Sequence, residues 1–583
     1  MNRTNDPELS CDVLIIGTEA AGAKAAIEAN LAGAKVLVVT KGLMGRSGAT
    51  VMAGAGVQAP LGHMDSRDNP DVFHLDMLKG GAFLNNQKLL DRLVNLANSE
   101  VPKLEKWGSV FEKTEDGKFF QSQLPGSSYP RTLRGVGGEG GVQWRKGLKA
   151  EIKRQGIVPM EDFFVTKLLT SNGEVAGAMG ISLPEGRLVT IRSKITILAT
   201  GGCGQLFLKT DTPATATGDG MALALDLGAE LMDMEFHQFF PYHCYGPPVL
   251  AGFPVATLRY SLRAKLYNSR GEEFLERYMP LSKAWGLRDP TSRAIFIENK
   301  QRRGSPHGGA YMSVMHLPAN LIRESMKFVM PRLMAKTEKV GFDLTQEALE
   351  VGPAVHYTMG GIRVNEHCES TVPRLIAVGE NASGMDGAER IDGGPAITWC
   401  LTMGYIGGAE GAAKAMKLDW LPVDEGQVVA ERDRLEKLLH RNQGITGFDL
   451  KEKIKNIMWE QCGLLRDKAS LEEGLRLIRE VKKNDLPRLS VPSSSKCYNQ
   501  GLVSAIEAEN MLKLAELALT SAGMREESRR SHYRTDFPVA DNANWLKNII
   551  VKQEDGRYTY TTAPPIVIKF EPPHEEISEE NYG

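Results

Sequence analysis

Cys11-Asp12-Val13-Leu14-Ile15-Ile16-Gly17-Thr18-Glu19-Ala20-Ala21-Gly22-Ala23-Lys24-Ala25-Ala26-Ile27-Glu28-Ala29-Asn30-Leu31, with Lys35-Val36-Leu37-Val38-Val39 just beyond, is the stretch that decides the fold. An apolar run, a glycine-bounded turn, an alanine-rich helical segment and a second apolar run read as β-α-β. The apolar runs suit a buried parallel sheet with a dinucleotide at its first turn. Gly17 to Gly22 occupies the place of G-x-G-x-x-G, where backbone amides at a helix start face a pyrophosphate; Gly17, Ala20, Ala21 and Gly22 are the candidate contacts. Glu19 stands where the middle glycine normally permits close phosphate approach. Its side chain therefore has to point away, or the phosphate has to sit higher.

Outward from this unit, the second apolar run ends in Thr40-Lys41 and not in the acidic residue that usually receives the adenosine ribose. The span Gly45 to Gly56 supplies small residues and hydroxyls, and Ser47, Gly48, Ala49, Thr50, Gly54, Ala55 and Gly56 are its candidates. Such a loop lets backbone amides reach the polar edge of a flat ring. Ala199-Thr200-Gly201 and Thr217-Gly218-Asp219-Gly220 follow, the Asp standing just before an alanine-rich helix, where it either meets ribityl hydroxyls or caps the helix. Much later come His356-Tyr357-Thr358-Met359-Gly360-Gly361, Gly379-Glu380, and Arg390 with Gly393-Gly394. Together these describe a flavin held at two distant points of the chain, with a cationic pocket for an anionic substrate between them.

With 583 residues, the chain exceeds what one hydrophobic core usually supports, so two to four domains are expected. Hydrophobic residues at 42% and charged residues at 24% are ordinary globular values, and a net charge of -2 offers no nucleic-acid surface. The longest apolar runs are strand-length, and the polar start Met1 to Ser10 lacks a secretory pattern. The seven cysteines are scattered without Cys-x-x-Cys, so neither a disulfide framework nor an iron–sulfur cluster is expected within this chain, and a metal site is not expected. Composition shifts near Tyr242 to Phe253, and the apolar strand ending in Gly379-Glu380 resumes the earlier pattern, which points to a segment inserted into a nucleotide-binding domain. Helical periodicity dominates from about 419 to 520, and a proline-bearing tail ends in the acidic run Glu575 to Glu580. The expected division is a flavin domain over 1–243 and 353–418, a capping domain over 244–352, a helical domain over 419–535 and a tail over 536–583.

In this order of motifs the chain resembles the flavoprotein subunit family of succinate dehydrogenase and fumarate reductase, which includes L-aspartate oxidase. The matching residues are Thr40-Lys41, Arg46-Ser47, Ala199 to Gly202, Thr217 to Gly220, Asp233-Met234-Glu235, Arg288-Asp289, His356 to Gly361, Gly379-Glu380, Arg390, Ser528-Arg529 and His532-Tyr533-Arg534. The resemblance implies an α/β fold: a Rossmann-like FAD-binding domain interrupted by an α+β capping domain, then a helical domain and an extended tail. It implies FAD as cofactor, adding Gly42, Val165, Ala396 and Ile397 to its contacts. It also implies hydride transfer between flavin N5 and a carbon–carbon bond next to a carboxylate. Arg288 would do the acid/base work, His356 and Arg390 would hold carboxylate, and Thr257 would belong to the proton relay. A guanidinium suits this role because it meets a carboxylate bidentately and places positive charge where an enolate-like anion develops. Electrons would pass to a separate iron–sulfur protein, and a cytoplasmic chain would meet the membrane only through partners.

The chain departs from the family at three places. Respiratory members join FAD covalently to a histidine after the Arg-Ser pair, whereas Gly48 or Ala49 stands there, so noncovalent FAD is expected. A carboxylate-binding histidine is replaced by Phe240, a loss of about 1.5–3 kcal/mol for a charge-assisted contact, which implies a larger or less charged substrate end. Leu258 and Ser261 stand where the relay's acid and base would be, leaving Arg259 or Arg263 as substitutes. Alternatives are a stand-alone L-aspartate-oxidase-like flavoenzyme, a flavin subunit of the adenylylsulfate reductase kind, and a non-catalytic FAD electron carrier.

Overall fold

The computed structural model describes residues 7–54, 56–138, 140–280 and 288–573. Strand β1 (Glu8–Ile16), helix α1 (Ala20–Leu31) and strand β2 (Val36–Val39) form the expected unit, β1 running parallel to β2 with Val13 opposite Val36. A loop then leads to β3 (Gly56–Gln58), and helix α2 (Gly140–Arg154) precedes three long strands, β4 (Phe163–Ser171), β5 (Glu174–Ser182) and β6 (Arg187–Leu198). Strand β6 lies parallel to β1 from Glu8 opposite Thr190 to Ile16 opposite Leu198. Its other edge is divided: Arg187 to Arg192 pairs antiparallel with β5, as β5 does with β4, leaving the final turn-side residues for a later strand.

Helix α3 (Asp219–Asp226) is followed by β7 (His237–Gly246), α4 (Ala256–Leu262), β8 (Lys265–Tyr267), α5 (Arg288–Lys300), β9 (Ala310–Ser313) and β10 (Leu349–Thr358). The four strands make an antiparallel sheet in the order β7-β10-β9-β8. This segment has its own hydrophobic core, including Phe240, Tyr242, Leu258, Leu266, Ile295 and Val351, as an inserted α+β unit requires. The expected boundaries at 243/244 and 352/353 fall inside β7 and β10, which carry the chain out of the flavin domain and back into it.

Strand β11 (Leu375–Ala377) then closes the interruption by pairing in parallel with Thr196 to Leu198 of β6. Helix α6 (Pro395–Ala415) lies on α1, and the sequence explains the closeness. Ala21, Ala25 and Ala29 are buried on α1, while a Cβ on Gly408 would stand 2.3 Å from the Ala25 carbonyl oxygen. The remaining helices, Glu425–Leu439, Gly447–Gln461, Lys468–Glu480 and α7 (Gln500–Met524), form the helical region. No helix among the described residues is long and apolar enough to cross a membrane.

The tail contains more structure than an extended segment. Strands β12 (Asn548–Glu554) and β13 (Arg557–Ala563) make a hairpin whose two loop residues, Asp555 and Gly556, both have positive φ (48° and 74°). Asp-Gly is the pair that favours such a turn, a local signal that the expectation of an extended tail overlooks. Strand β12 pairs with Leu231–Met232, and the Gln87 side chain bonds the backbone of Ile568, Lys569 and Phe570, so the tail is tied to the flavin domain. The acidic run Glu575 to Glu580 lies outside the described residues.

Candidate active site

The first turn leaves no room for side chains. Gly17 has φ +116°, and a Cβ there would stand 2.1 Å from the Ala199 carbonyl oxygen; one on Gly22 would stand 2.0 Å from the Gly17 carbonyl oxygen. Glu19 does point away from the turn: its Oε1 accepts from the Gly48 amide at 3.3 Å, and the Ala20 amide donates to Thr50 Oγ1 at 3.0 Å. Burial raises the Glu19 carboxyl above its ordinary range against the opposing bonds of Thr50 and Gly48. The loop of Gly42 to Gly54 is thereby folded onto the start of α1. Within it the Ser47 hydroxyl accepts from the Leu43 amide at 2.7 Å, and a Cβ on Gly42 would strike that hydroxyl. Ala49 opens a short 3-10 turn, and Gly54 is exposed. Gly56 starts β3, where Gln58 exchanges bonds with the Thr398 hydroxyl of α6. Ala55 lies outside the described residues.

Lys41 forms the hub of the second group. Its Nζ donates to the Thr217 hydroxyl at 3.0 Å, Asp219 Oδ2 at 2.6 Å and Glu507 Oε1 at 2.7 Å. Burial opposes the lysine's charge, but the two carboxylates outweigh it and raise its pKa. Asp219 is also held by Asn510 Nδ2 at 2.9 Å, so both its oxygens are engaged by protein donors. Thr215 reaches back to the Ser47 carbonyl at 2.6 Å, joining this group to the loop. Thr40 is bonded at its carbonyl by the Phe163 amide, which places Val165, two residues into β4, near the end of β2.

The returning half approaches the same turn. Thr200 Oγ1 bonds Asn381 Oδ1 at 3.0 Å, Gly201 is left-handed at φ +78°, and a Cβ on Gly379 would stand 2.8 Å from that of Ala21. Glu380 Oε1 accepts from the Thr358 amide at 3.0 Å, and burial pushes its carboxyl up to about 7. Ala396 and Ile397 lie in the first turn of α6, behind the left-handed cap Gly394. A helix start leaves amides without intrahelical partners. Asn381 Nδ2 and Arg390 Nε are buried without hydrogen-bond partners among the described residues. Side-chain-free turns and orphaned polar atoms converging on one place fit a bound flavin, since buried polar groups are otherwise satisfied.

A cluster of buried charged and aromatic side chains, the candidate substrate site, lies where β7 and β10 enter and leave the cap. Gln238 lies opposite Tyr357, and beside them the Phe240 ring lies 5.2 Å from the His356 ring. The Arg288 guanidinium, at the start of α5, lies 4.8 Å over the same Phe240 ring, and its Nη1 donates to Gln238 Oε1 at 2.9 Å. Arg288 Nε forms an ion pair with Asp392, whose second oxygen accepts from the Tyr260 hydroxyl at 2.7 Å. Arg390 lies with its guanidinium 4.2 Å over the Tyr357 ring. Burial, then the nearby Arg288 charge, lowers its pKa. His356 Nδ1 meets Asp211 at 2.7 Å and His243 Nε2 meets the same oxygen at 2.9 Å. Burial drops His356 to about 4, so at neutral pH its ring is uncharged and its Nδ1–H donates to Asp211.

Arg288, His356 and Arg390 are thus brought together. Thr257 lies half-buried in the first turn of α4, with Tyr260 one turn further along. Leu258 is buried in the cap core and Ser261 is exposed, so neither position faces the arginine. Arg263 is exposed, while Arg259 donates to the Ala264 carbonyl at 2.5 Å. Asp211, Tyr260, Asp392, Glu507 and Asn510 lie among these groups without having been singled out by sequence motifs. Glu507 and Asn510 had only the signal of a three-residue spacing, which puts them on one helix face; Glu509, Lys513 and Glu516 are polar residues of the same helix.

Residues 12–395 match the FAD binding domain family and residues 451–577 the fumarate reductase flavoprotein C-terminal family. The chain is 35% identical over 544 residues to a subunit of the fumarate reductase (CoM/CoB) of Methanothermobacter marburgensis, covering 93% of this chain and 97% of the relative. Among solved structures it superposes on the E. coli quinol fumarate reductase FrdA with TM-score 0.90 and 26% identity over 97% of this chain and 98% of that one. It also superposes on Mycobacterium smegmatis Sdh1 in complex with UQ1, with TM-score 0.87, 32% identity and coverage of 97% and 96%. The chain belongs to the fumarate reductase and succinate dehydrogenase flavoprotein family, FAD-dependent oxidoreductases acting on CH–CH groups.

Proposed function

We propose that this chain is the flavoprotein subunit of a fumarate-reductase-like enzyme whose substrate carries a carboxylate beside the reacting carbon–carbon bond and has one end larger or less charged than succinate. The carrying observation is Arg390, a buried guanidinium with no carboxylate at ion-pair distance among the described residues, beside an Arg288 that is ion-paired to Asp392 and hydrogen-bonded through Nη1 to Gln238. FAD, held noncovalently at the turn, the Lys41 group and Glu380, supplies the hydride chemistry. Arg390 and His356 receive the carboxylate, the first as a permanent cation and the second by taking up a proton as the anion arrives. Arg288, hydrogen-bonded through Nη1 to Gln238 and ion-paired to Asp392, would act as acid or base at the carbon next to the one that exchanges hydride. Phe240 replaces a polar contact with an apolar wall and keeps water from the reacting bond. The relative named as a fumarate reductase (CoM/CoB) supports the reductive direction. Relatives named as subunits support a partner chain, which we infer to be the iron–sulfur carrier, with this chain cytoplasmic and meeting a membrane through that partner.

The test is turnover by the native complex against a panel of saturated and unsaturated carboxylic acids, their esters and thioesters. At least one is expected to oxidise or reduce the flavin. Arg288→Ala is expected to keep its FAD and lose about 10²–10⁴-fold in turnover, the range of general acid–base catalysis. Flavin that answers to no acid in the panel, or an Arg288→Ala complex with wild-type turnover, refutes the reading.

A further inference from the structure

Asp392 is a carboxylate set against the arginine assigned above to acid/base work, and no step described so far uses it. Its backbone is fixed by the flavin domain: its amide donates to the Pro125 carbonyl at 3.1 Å, and Gln58 Nε2 donates to its carbonyl at 2.8 Å. One side-chain oxygen pairs with Arg288 and the other accepts from Tyr260, both of which belong to the cap. The residue is 2% exposed, so its charge is felt inside the pocket and not dispersed in water. Arg288 is neutralised by Asp392, His356 is already bonded to Asp211, and Phe240 contributes no charge. Arg390 remains as the cation of this cluster that has no carboxylate at ion-pair distance among the described residues.

We propose that Asp392, clamped by Tyr260, is a specificity-determining and positioning residue that limits the pocket to substrates with one free carboxylate and an uncharged second end, such as an ester, amide or thioester. This rests on the function proposed above and sharpens its substrate class. A second carboxylate would have to settle near the Asp392 anion and the Phe240 ring, where no free cation repays its lost hydration. An uncharged second end meets no such penalty and gains contact with Phe240.

The experiment uses the FAD-loaded holoenzyme and two oxidants that differ only in charge, fumarate and its monomethyl ester, with a reduced dye as electron donor. The wild type is expected to favour the monoester at least tenfold in kcat/KM. Asp392→Asn is expected to move that ratio at least tenfold toward the dianion. Asp392→Glu, which keeps the charge, is expected to retain the monoester preference even where its turnover is lower. Calorimetric binding of succinate and monomethyl succinate gives a readout independent of turnover: Asp392→Asn should tighten the dianion at least tenfold and leave the monoanion within threefold. FAD content and melting temperature are measured first, and if Asp392→Asn does not fold, the wild-type ratio alone decides. A wild type that prefers fumarate, or a ratio unmoved by Asp392→Asn, overturns the charge assignment and leaves the broader function standing. A wild type that neither turns over nor binds any of the four compounds overturns both.

Discussion

Two groups of buried arginines in this molecule have opposite surroundings. In the segment after α7, Arg525 is fully buried and saturated: Nε bonds Glu235 at 2.7 Å, Nη1 bonds Glu527 at 2.9 Å, and Nη2 bonds the Lys547 carbonyl at 2.9 Å. Arg529 beside it is held by Glu527 through two nitrogens and by the Ala82 carbonyl. Beside Arg288, Arg390 is nearly as deeply placed, yet it has no carboxylate at ion-pair distance among the described residues and its Nε makes no hydrogen bond there. Coulomb attraction raises the pKa of Arg525 against its burial, whereas for Arg390 burial wins and lowers it. A saturated cation ties segments together; one left short of partners stores binding capacity for an anion.

Breaking the saturated group should have the larger effect. Arg525→Ala is expected to cost about 3–5 kcal/mol in unfolding free energy, because Glu235 is left as a buried, unpaired charge and Glu527 keeps only Arg529 of its two arginines. Urea unfolding of the FAD-loaded protein measures this, and a loss below about 1 kcal/mol would erase the distinction. Arg390→Gln should do the reverse. Substrate binding weakens by about 1.5–3 kcal/mol, the worth of a charge-assisted bond, while the melting temperature holds or rises because a desolvated cation has been removed. A melting temperature that falls as far as that of Arg525→Ala would place Arg390 in the structural group. The smallest effect concerns His356. Its free-state pKa is about 4, and a bound carboxylate raises it, so anion binding takes up a proton between those two values. Affinity should therefore rise as pH falls through that window, by up to about tenfold per unit. Calorimetry in two buffers of different ionisation enthalpy reads the proton directly, and His356→Asn should abolish the uptake.

Legibility followed sequence distance. The β-α-β unit could be read because periodicity and glycine placement are local, and Gly17 and Gly22 prove to be positions where a Cβ cannot fit. Interruption by the cap was also legible, since an apolar strand reappears at Leu375 after a compositional change. The Lys41 group was half legible: Lys41 and Asp219 stand in recognisable motifs, but their partners Glu507 and Asn510 lie on a helix nearly three hundred residues beyond Asp219. Leu258 and Ser261 mark departures from the relay. Only the packed cap reveals that the first is core and the second solvent-facing, and that Tyr260 between them reaches Asp392.

By itself the sequence determined that a flavin-type nucleotide turn exists, that the domain around it is interrupted, and that several positively charged candidates follow, because each depends on residue types at short spacing. Which of those charges are spent on protein partners and which stay available to a ligand was decided by the tertiary structure alone. The reason is physical: a charge's free energy in a low-dielectric interior depends on the few groups within hydrogen-bond reach, and chain order does not specify those neighbours.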